Sequence, residues 1–314
     1  MENCKNYNTL TEYYKNKYNK KVAKIALNAN FTCPNKDGKK GFGGCTYCSK
    51  MGSGDTAGDK NLPLKEQFYQ IKEIMDKKWK DLLYIPYLQS NSNTYGSIEK
   101  LKSIYNEVLS IEDNRIVGFA IATRPDCFTE EIYDYLEELN KHIPLSIELG
   151  LQTSNEKTAK IINRLSTNEE FIDAVNNLRK RNIEVVVHII NGLPYETETD
   201  MLNTIDFINN LDIQGIKFHS LLILKDTKIY EDYLNNPFKI LTLEEYTSIC
   251  VKQIARLKPS MIIHRLAADG VIDDVILPKW PIKKLVVMNE IDKLMRKNNI
   301  HQGDDYLNPT IITD

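Results

Sequence analysis

The stretch KVAKIALNANFTCPNKDGKKGFGGCTYC, residues 21–48, joins a short aliphatic run to a glycine-rich loop that contains three cysteines. The run KVAKIALN is rich in aliphatic residues and predicts a β-strand. Within sixteen positions of the loop lie Cys33, Cys45 and Cys48. Because the loop has too few apolar residues to pack these thiols into a core, their grouping indicates metal binding or chemistry.

The aliphatic run at residues 21–28 is the first of six along the chain. Stretches with helical periodicity separate the runs, and capping-box patterns mark several helix starts. Strands that are apolar on both faces and alternate with helices predict parallel βαβ units. Six such units predict an α/β fold, either a wound barrel or an open part of one. The later runs span 82–89, 114–122, 143–150, 183–190 and 215–224.

Polar residues collect after the predicted strands. In a parallel barrel the βα loops gather at the carboxyl ends of the strands and carry the ligand site. We therefore expect residues from these loops to surround a single site. Besides the three cysteines they are Gln89, Ser90, Asn91, Asn93, Thr123, Arg124, Asp126, Glu148, Gln152, Asn191, Gly192, Glu196, His219 and Lys225.

The composition is that of a globular protein with a sizeable core. The 314 residues are 42% hydrophobic and 27% charged, and the net charge is −2. No apolar run approaches the roughly 18–20 residues of a membrane span, and the N-terminus is too polar for a signal peptide. These features predict a cytoplasmic protein, and in a reducing compartment clustered cysteines bind metal more often than they form disulfides.

Three cysteines are an incomplete set for a structural zinc site, which usually takes four closed ligands. An iron–sulfur cluster normally takes four thiolates as well. Three thiolates therefore suggest a cluster in which one iron is left open for a substrate or cofactor. The alternative is zinc, completed by a fourth ligand from elsewhere, in a non-catalytic nucleic-acid-binding module.

Positive charge is concentrated near both termini. Residues 1–40 contain nine lysines and three acidic residues, and residues 279–297 contain six cations and two acidic residues. Basic residues among aromatics suit a phosphate backbone with exposed bases, although a solvated helix face would have the same composition. The aromatic residues of the first segment are Tyr7, Tyr13, Tyr14 and Tyr18.

The chain resembles a known family in several motifs. The pair CTYC, residues 45–48, has the C-x-aromatic-C form of radical S-adenosylmethionine (SAM) enzymes. The long insertion CPNKDGKKGFGGC resembles the branch that includes the catalytic subunit of Elongator. A longer series, in order from about residue 7 to residue 306, resembles the small stand-alone bacterial family typified by YtqA and YhcC. Its motifs are NANFTCPNKDGKKGFGGCTYC, YLQSNSNTY, IATRPDCF, IELGLQT, INRLST, HIINGLPYET and HRLAADG.

The resemblance implies a partial (β/α)6 barrel of the TIM type with extensions at both ends. Residues 1–20 would form a basic and aromatic N-terminal extension. Residues 21–225 would form the barrel, and residues 226–314 would form a helical extension packed on it.

The resemblance also implies the cofactors. Cys33, Cys45 and Cys48 would hold three irons of a [4Fe–4S] cluster, and the amine and carboxylate of SAM would chelate the fourth. An electron from a low-potential donor such as flavodoxin or ferredoxin would cleave SAM to methionine and a 5′-deoxyadenosyl radical. The expected cofactor-binding residues are Tyr47 beside the cluster, Gln89, Ser90 and Asn91 at the methionine amine, Gln152 and Arg164 at SAM, Gly192 and Leu193 at the adenine, Thr123, and Glu148.

Elongator-like relatives carry an acidic residue just before the TRPD sequence, where this chain has Ala122. Glu148 is therefore expected to bind the ribose hydroxyls in its place. Since the radical can do the chemistry, no catalytic side chain is required, and the candidates are His219, Lys225 and Glu196. His188 is expected to be a hydrogen-bonded core histidine.

The resemblance implies tRNA as the substrate. The relatives are associated with conversion of 5-carboxymethylaminomethyl-uridine to 5-aminomethyl-uridine at the wobble position. The second hypothesis keeps the radical SAM chemistry but gives it a small metabolite or a protein as substrate.

Overall fold

A sheet whose strands are apolar on both faces must have both faces covered, and in an α/β protein helices cover at least one of them. The computed structural model describes residues 5–49, 52, 57–268 and 273–307. In these residues seven parallel strands form one curled sheet in the order β1-β2-β3-β4-β5-β6-β8. The predicted α/β partial barrel is confirmed. The strands are β1 Val22–Leu27, β2 Leu83–Leu88, β3 Phe119–Thr123, β4 Leu145–Gln152, β5 Glu184–Asn191, β6 Gly215–Ser220 and β8 Ile262–Arg265.

Helices follow the strands in the alternating order that the sequence predicts. Capping boxes are present at the starts of three helices, as the capping-box patterns of the sequence predict. In each of them the side chain of the N-cap threonine accepts a hydrogen bond from the backbone N–H three residues later, and the acidic side chain of that later residue accepts one from the threonine N–H. The threonines are Thr167, Thr197 and Thr242. The helices are α1 Leu10–Tyr18, α2 Leu64–Lys78, α3 Ile98–Leu109, α4 Glu130–His142, α5 Glu156–Ile161, α6 Asn168–Lys180, α7 Glu198–Asn209, α8 Lys228–Asn235, α9 Leu243–Arg256 and α10 Lys284–Lys297.

The sheet continues beyond the six predicted strands. Strand β8 has only four residues, IIHR, and lies in the segment expected to be a helical extension. It pairs in parallel with β6, so a strand from beyond residue 225 belongs to the barrel. The predicted run 215–224 divides into β6 and a short strand β7, Ile223–Leu224, which pairs antiparallel with β9, Val275–Leu277. A four-residue strand carries too short an alternation to be recognised in the sequence.

Helix α1 covers the concave face of the sheet near the amino ends of the strands. Tyr14 is buried in a cluster with Ile85, Tyr87 and Ala120. Tyr7 is buried as well, and its hydroxyl donates to Asp292 at 2.9 Å. The N-terminal tyrosines that could have stacked on bases therefore serve, at these two positions, as part of the core. None of the helices in the described ranges is long and apolar enough to span a membrane.

Replacing Tyr14 by alanine should lower the free energy of unfolding by about 3 kcal/mol, because removal of its large buried ring leaves a cavity between α1 and the sheet. Urea unfolding followed by circular dichroism measures the change. The control is Asn16→Ala on the exposed side of α1, which should leave stability within about 0.5 kcal/mol of the unmodified protein. Equal midpoints for the two variants would show that α1 does not seal the barrel.

Candidate active site

A cavity of about 240 Å³ opens where the strands of the barrel end. This is the edge at which a parallel barrel presents its loops. The lining combines the loop after β1 with residues of the strands and of the segments that follow them. Of the residues singled out in the sequence, the lining contains Cys33, Cys45, Tyr47, Cys48, Gln89, Asn91, Thr123, Arg124, Glu148, Gln152, His188 and His219.

The cysteine loop has a defined backbone path. Gly43 and Gly44 have φ angles of +80° and +83°, in the left-handed region that glycine adopts without strain. The Gly44 N–H donates to the carbonyl of Asn35 at 2.8 Å. Asn163, which follows α5, donates its amide to the Gly44 carbonyl at 2.8 Å, and Asn35 donates to the Asn163 carbonyl at 2.6 Å. These bonds attach the loop to the opposite side of the barrel mouth.

The electrostatics of the loop favour a thiolate at Cys45, whereas the hydrogen bond with Cys45 and burial raise the pKa of Cys48 well above its usual value. The hydrogen bond with Cys48 lowers the pKa of Cys45 to about 6, against the opposing effect of burial, and the positive charge of Arg124 lowers it further. The guanidinium of Arg124 is itself held by Asp126, with N–O distances of 2.8 and 2.7 Å. Since the thiolate is the form of cysteine that binds metals, this loop is suited to metal binding.

The three thiols fit a cluster better than a single ion. In the described ranges, no group of three or more His, Cys, Asp or Glu side chains is placed to hold one metal ion. Cys33, Cys45 and Cys48 nevertheless line the same cavity. Thiolates that bind different irons of a cluster do not need to converge on one point. Three thiolates leave one iron of a [4Fe–4S] cluster open and leave a closed zinc site one ligand short, so the donor set fits the cluster.

Amide and hydroxyl groups lie beside the cysteines. Gln89, Asn91, Thr123 and Gln152 all line the cavity, and the Thr123 hydroxyl hydrogen-bonds that of Thr94 at 2.6 Å. Gln152 has a φ of +63° where the pairing of β4 with β5 changes register. These groups could hydrogen-bond the amine and hydroxyl groups of a cofactor such as SAM. Ser90 is buried and does not belong to the lining.

Tyr47 also lines the cavity, between the two cysteines of the CTYC pair. Burial raises the pKa of its hydroxyl well above the usual value, and the neighbouring Cys45 and Cys48 raise it further. The phenol therefore stays neutral over the whole physiological range. A neutral aromatic ring in this place can exclude water from the cysteines, as expected for a residue that shields a cluster.

Arg164 does not reach the cavity. Its side chain is fully buried and donates to the backbone carbonyls of Leu151, Thr153 and Ser166 at 2.8, 2.6 and 2.7 Å. A further donor bonds Asn168 at 3.1 Å. This position does not fit the bidentate contact with a SAM carboxylate that the sequence suggested, because the guanidinium already ties the end of β4 to the start of α6.

Gly192 and Leu193 lie beside the cavity without lining it. Gly192 has a φ of +84°, and its N–H contacts the Met201 sulfur at 3.4 Å. Leu193 packs in an apolar cluster with Leu221 and Ile223. The described structure does not place either residue at the cavity surface, where the adenine contact was expected.

Glu148 is the centre of a buried polar network inside the barrel. Its Oε1 accepts a hydrogen bond from Lys24 at 2.6 Å. Its Oε2 is 2.5 Å from Tyr87 Oη, 2.7 Å from His188 Nε2 and 2.5 Å from Lys217 Nζ. Burial would raise the pKa of Glu148, but the charges of Lys217 and Lys24 hold it well below its usual value. Protein groups engage both oxygens, which differs from the expected ribose contact.

The three candidate catalytic residues are not brought together. His219 lines the cavity and stacks on His188, with ring centroids 5.2 Å apart. Lys225 is exposed and lies outside the lining. Glu196 also lies outside it, where its carboxyl accepts a hydrogen bond from Thr153 at 2.5 Å and burial raises its pKa to about 7. Only His219 is therefore in a position to meet a ligand in this cavity.

Four polar residues of the barrel interior were not identified from the sequence as site residues. They are Lys24, Tyr87, Lys217 and Arg265, of which the last three line the cavity. A lysine inside a strand that is otherwise apolar on both faces carries a signal, because a buried ammonium requires a partner. Lys24 and Lys217 had this pattern, but the partner, Glu148, is on another strand.

Residues 38–208 match the model of the radical SAM superfamily, which is more than half of the chain, and residues 213–297 match the radical SAM C-terminal domain. The chain belongs to the radical SAM superfamily. It is accordingly a radical SAM enzyme, with a [4Fe–4S] cluster and SAM as cofactors.

Two bacterial relatives of this radical SAM enzyme are similar over nearly the whole chain. YtqA of Bacillus subtilis is 42% identical over 95% of this chain and 92% of its own length, and YhcC of Escherichia coli K12 is 30% identical over 94% of each. A tRNA-2-methylthio-N(6)-dimethylallyladenosine synthase of Fusobacterium nucleatum is 26% identical over 54% of this chain and 39% of its own. The structure of Elp3 from Methanocaldococcus infernus shares the fold, with a TM-score of 0.66 at 17% identity over 90% of this chain and 64% of that one.

Replacing Arg164 by methionine should lower the free energy of unfolding by about 3 kcal/mol or more, because three buried carbonyls lose their donor. Urea unfolding measures this change. The matched control is Arg256→Met, whose half-exposed pair with Asp206 is 3.3 Å long and should contribute less than about 1 kcal/mol. A fully stable Arg164→Met protein with weakened SAM binding would instead make Arg164 a cofactor residue.

Proposed function

We propose that this radical SAM enzyme modifies tRNA, converting 5-carboxymethylaminomethyl-uridine to 5-aminomethyl-uridine at the wobble position. The observation that carries the choice of a nucleic acid is the cysteine loop, where an exposed aromatic ring lies among lysines. The relationship to a tRNA-modifying synthase of Fusobacterium nucleatum and the resemblance to the Elongator branch support the same choice.

The cysteine loop carries an exposed aromatic group. Phe42 is 80% exposed in the segment between Cys33 and Cys45, although a side chain of this kind is normally buried. In the same segment the Lys39 ammonium lies 5.4 Å from the centroid of the Tyr95 ring. Tyr195, after β5, is 57% exposed. Aromatic faces combined with cations are typical of surfaces that bind unpaired bases.

The N-terminal basic segment contributes less to this proposal than its sequence suggested. Tyr7 and Tyr14 are buried, and Lys5 and Lys24 form ion pairs with acidic side chains. Lysines 15, 17, 20 and 21 remain on the surface. They can add to long-range attraction of a polyanion, whereas in this proposal the bases stack on the aromatic groups of the cysteine loop.

In this proposal Cys33, Cys45 and Cys48 are the cluster ligands, and Gln89, Asn91, Thr123 and Gln152 contact SAM. The bound and reduced cofactors supply a 5′-deoxyadenosyl radical that accepts a hydrogen atom from the substrate, and the oxidised cluster can take up an electron. The protein binds and orients the substrate and excludes water around these groups. A flavodoxin or ferredoxin would provide the low-potential electron.

The reaction removes the carboxymethyl group from the substrate nitrogen. One hydrogen atom and one electron would leave the carbon between the nitrogen and the carboxylate, which gives a protonated imine. Water adds to the imine, the carbon–nitrogen bond breaks, and the two carbons leave as glyoxylate while the amine remains on the uridine. Glyoxylate is therefore the expected second product, and SAM is consumed as methionine and 5′-deoxyadenosine.

Replacing any one of Cys33, Cys45 and Cys48 by alanine should abolish retention of the cluster, because two thiolates hold it too weakly. Iron and acid-labile sulfide, measured after anaerobic reconstitution, report the loss. Cys250→Ala is the matched control, since this thiol is buried outside the cavity lining, and it should keep a full complement of iron and sulfide. Zinc without sulfide in the unmodified protein would contradict the cluster.

Replacing Phe42 by alanine should weaken tRNA binding by about tenfold, within the range of base–aromatic stacking. Fluorescence anisotropy with labelled tRNA at fixed salt gives the dissociation constant. Leu285→Ala is the control, because Leu285 is 73% exposed on α10, away from the cysteine loop. If both variants bind tRNA as the unmodified protein does, the cysteine loop is not part of the RNA-binding surface.

The decisive experiment for the function is a comparison of tRNA nucleosides from cells with and without the gene. Cells lacking it should accumulate 5-carboxymethylaminomethyl-uridine and lose 5-aminomethyl-uridine, and purified enzyme with SAM and a reductant should reverse the change. Unchanged nucleosides would sink the tRNA proposal and leave a small metabolite or a protein as the substrate.

A further inference from the structure

Asn35 lies in the cysteine loop and is fully buried. Its side-chain nitrogen Nδ2 is 2.6 Å from the carbonyl oxygen of Asn163 and 3.6 Å from Sγ of Cys45. A side-chain amide has two N–H groups. One of them is therefore directed to the Asn163 carbonyl, and the other is directed to the sulfur of a cysteine that the proposed function assigns to the cluster.

The Asn163 carbonyl decides which end of the Asn35 amide is the nitrogen. With the amide turned over, Oδ1 of Asn35 and the carbonyl oxygen of Asn163 would face each other, and neither can donate. In the described structure Oδ1 is buried without a hydrogen-bond partner. A buried acceptor without a partner costs free energy, which an apolar side chain of the same shape would avoid. The contacts that favour asparagine at this position are therefore those of its nitrogen.

A ring of three hydrogen bonds keeps this nitrogen beside Cys45. The Asn163 side chain donates to the Gly44 carbonyl at 2.8 Å, and the Gly44 N–H donates to the Asn35 carbonyl at 2.8 Å. The Asn35 side chain closes the ring at the Asn163 carbonyl. Because Gly44 directly precedes Cys45, the ring limits movement of the sulfur relative to the amide. Gly41 leaves room for that amide, since a Cβ there would lie 2.7 Å from Asn35 Oδ1.

A hydrogen bond to a cluster sulfur changes the potential at which the cluster accepts an electron. The N–H draws electron density from the sulfur and stabilises the form with more negative charge, which is the reduced form. Both groups are shielded from water, since Cys45 is 8% exposed and Asn35 is 0% exposed. A hydrogen bond in such surroundings is electrostatically stronger than one in water.

We propose that Asn35 is a positioning residue that hydrogen-bonds Cys45 and raises the reduction potential of the [4Fe–4S] cluster. The proposal rests on the assignment of Cys45 as a cluster ligand in the proposed function, and it holds for any substrate of the enzyme. A higher potential lets a given electron donor reduce a larger fraction of the enzyme. Asn35 acts through Cys45 and has no contact with the substrate in this role.

A first test replaces Asn35 by leucine, which has the same branched shape and no N–H. The reduction potential of the cluster-loaded protein is measured anaerobically, without SAM, by a redox titration followed by electron paramagnetic resonance (EPR). At a fixed potential, Asn35→Leu should lower the ratio of reduced to oxidised cluster about tenfold, which is a shift of ~59 mV to lower potential for one electron. A potential equal to that of the unmodified protein would overturn the proposal.

The matched control is Asn163→Gly, which loosens the loop and leaves the N–H to the sulfur in place. Asn163 has a φ of +53°, which glycine adopts without strain. The variant loses the bond to the Gly44 carbonyl but keeps the backbone carbonyl that orients Asn35. It should have the potential of the unmodified protein. If Asn163→Gly shifts the potential as much as Asn35→Leu does, loosening of the loop causes the shift, and the proposal is overturned.

Iron and acid-labile sulfide contents distinguish failure of this proposal from failure of the ligand assignment. Asn35→Leu and Asn163→Gly should both retain the cluster, whereas Cys45→Ala should lose it. If Cys45→Ala keeps a full complement of iron and sulfide, Cys45 is not a ligand, and the assignment fails together with the proposal. If Cys45→Ala loses the cluster while Asn35→Leu keeps it at an unchanged potential, only the role of Asn35 is overturned.

A second test uses the unmodified protein and so does not depend on whether Asn35→Leu folds. The protein is labelled with ¹⁵N in the side-chain amide of asparagine, and pulsed EPR of the reduced cluster detects nitrogen nuclei that couple to it. The N–H directed to Cys45 should give a ¹⁵N coupling. Asn91 also lines the cavity, so the coupling should persist in Asn91→Ala and in Asn163→Gly. Absence of the coupling, or its loss in either of these variants, would overturn the proposal.

Discussion

The carboxylate of Glu148 connects strands on both sides of the central strand β4. Its partners Lys24, Tyr87, His188 and Lys217 come from β1, β2, β5 and β6, so five of the barrel strands meet at one buried group. Removing one partner would leave charge uncompensated inside the barrel, which is far more costly than losing a surface ion pair. The network therefore fixes the interior geometry on which the cavity above it depends.

The cavity places two kinds of chemistry in one space. The loop after β1 supplies three cysteines, one with a pKa lowered to about 6, and the strands supply cations and unsatisfied polar atoms. A [4Fe–4S] cluster bearing three thiolates is anionic, whereas SAM carries a positively charged sulfonium. Burial lowers the pKa of Lys217 to about 7, and its contact with Glu148 opposes this shift, so the ion pair keeps the charge of the barrel interior balanced below the cofactor site.

Much of the barrel could be predicted from the sequence, because short local patterns indicate its strands and helix starts. Aliphatic runs near 22–27, 83–88 and 184–191 became strands, and the three threonine capping boxes formed as their spacing predicted. Strand β8 was missed, since four residues are too few to show an alternation. Arg164 was assigned to the cofactor from its motif, but its bonds to the carbonyls of Leu151, Thr153 and Ser166 depend on how β4 and α6 are joined.

The sequence by itself determined the family, the cofactors and the alternation of strands with helices, because the CTYC pair, the upstream Cys33 and the alternating runs are all local in the chain. Only the tertiary structure decided what lies inside the barrel. Three charged residues of the barrel interior are far apart in the chain, namely Lys24, Glu148 and Lys217. In the sequence, each of them is a single charge within a strand. Their mutual contacts arise from the closing of the sheet, which brings inward-facing residues of distant strands within hydrogen-bonding distance.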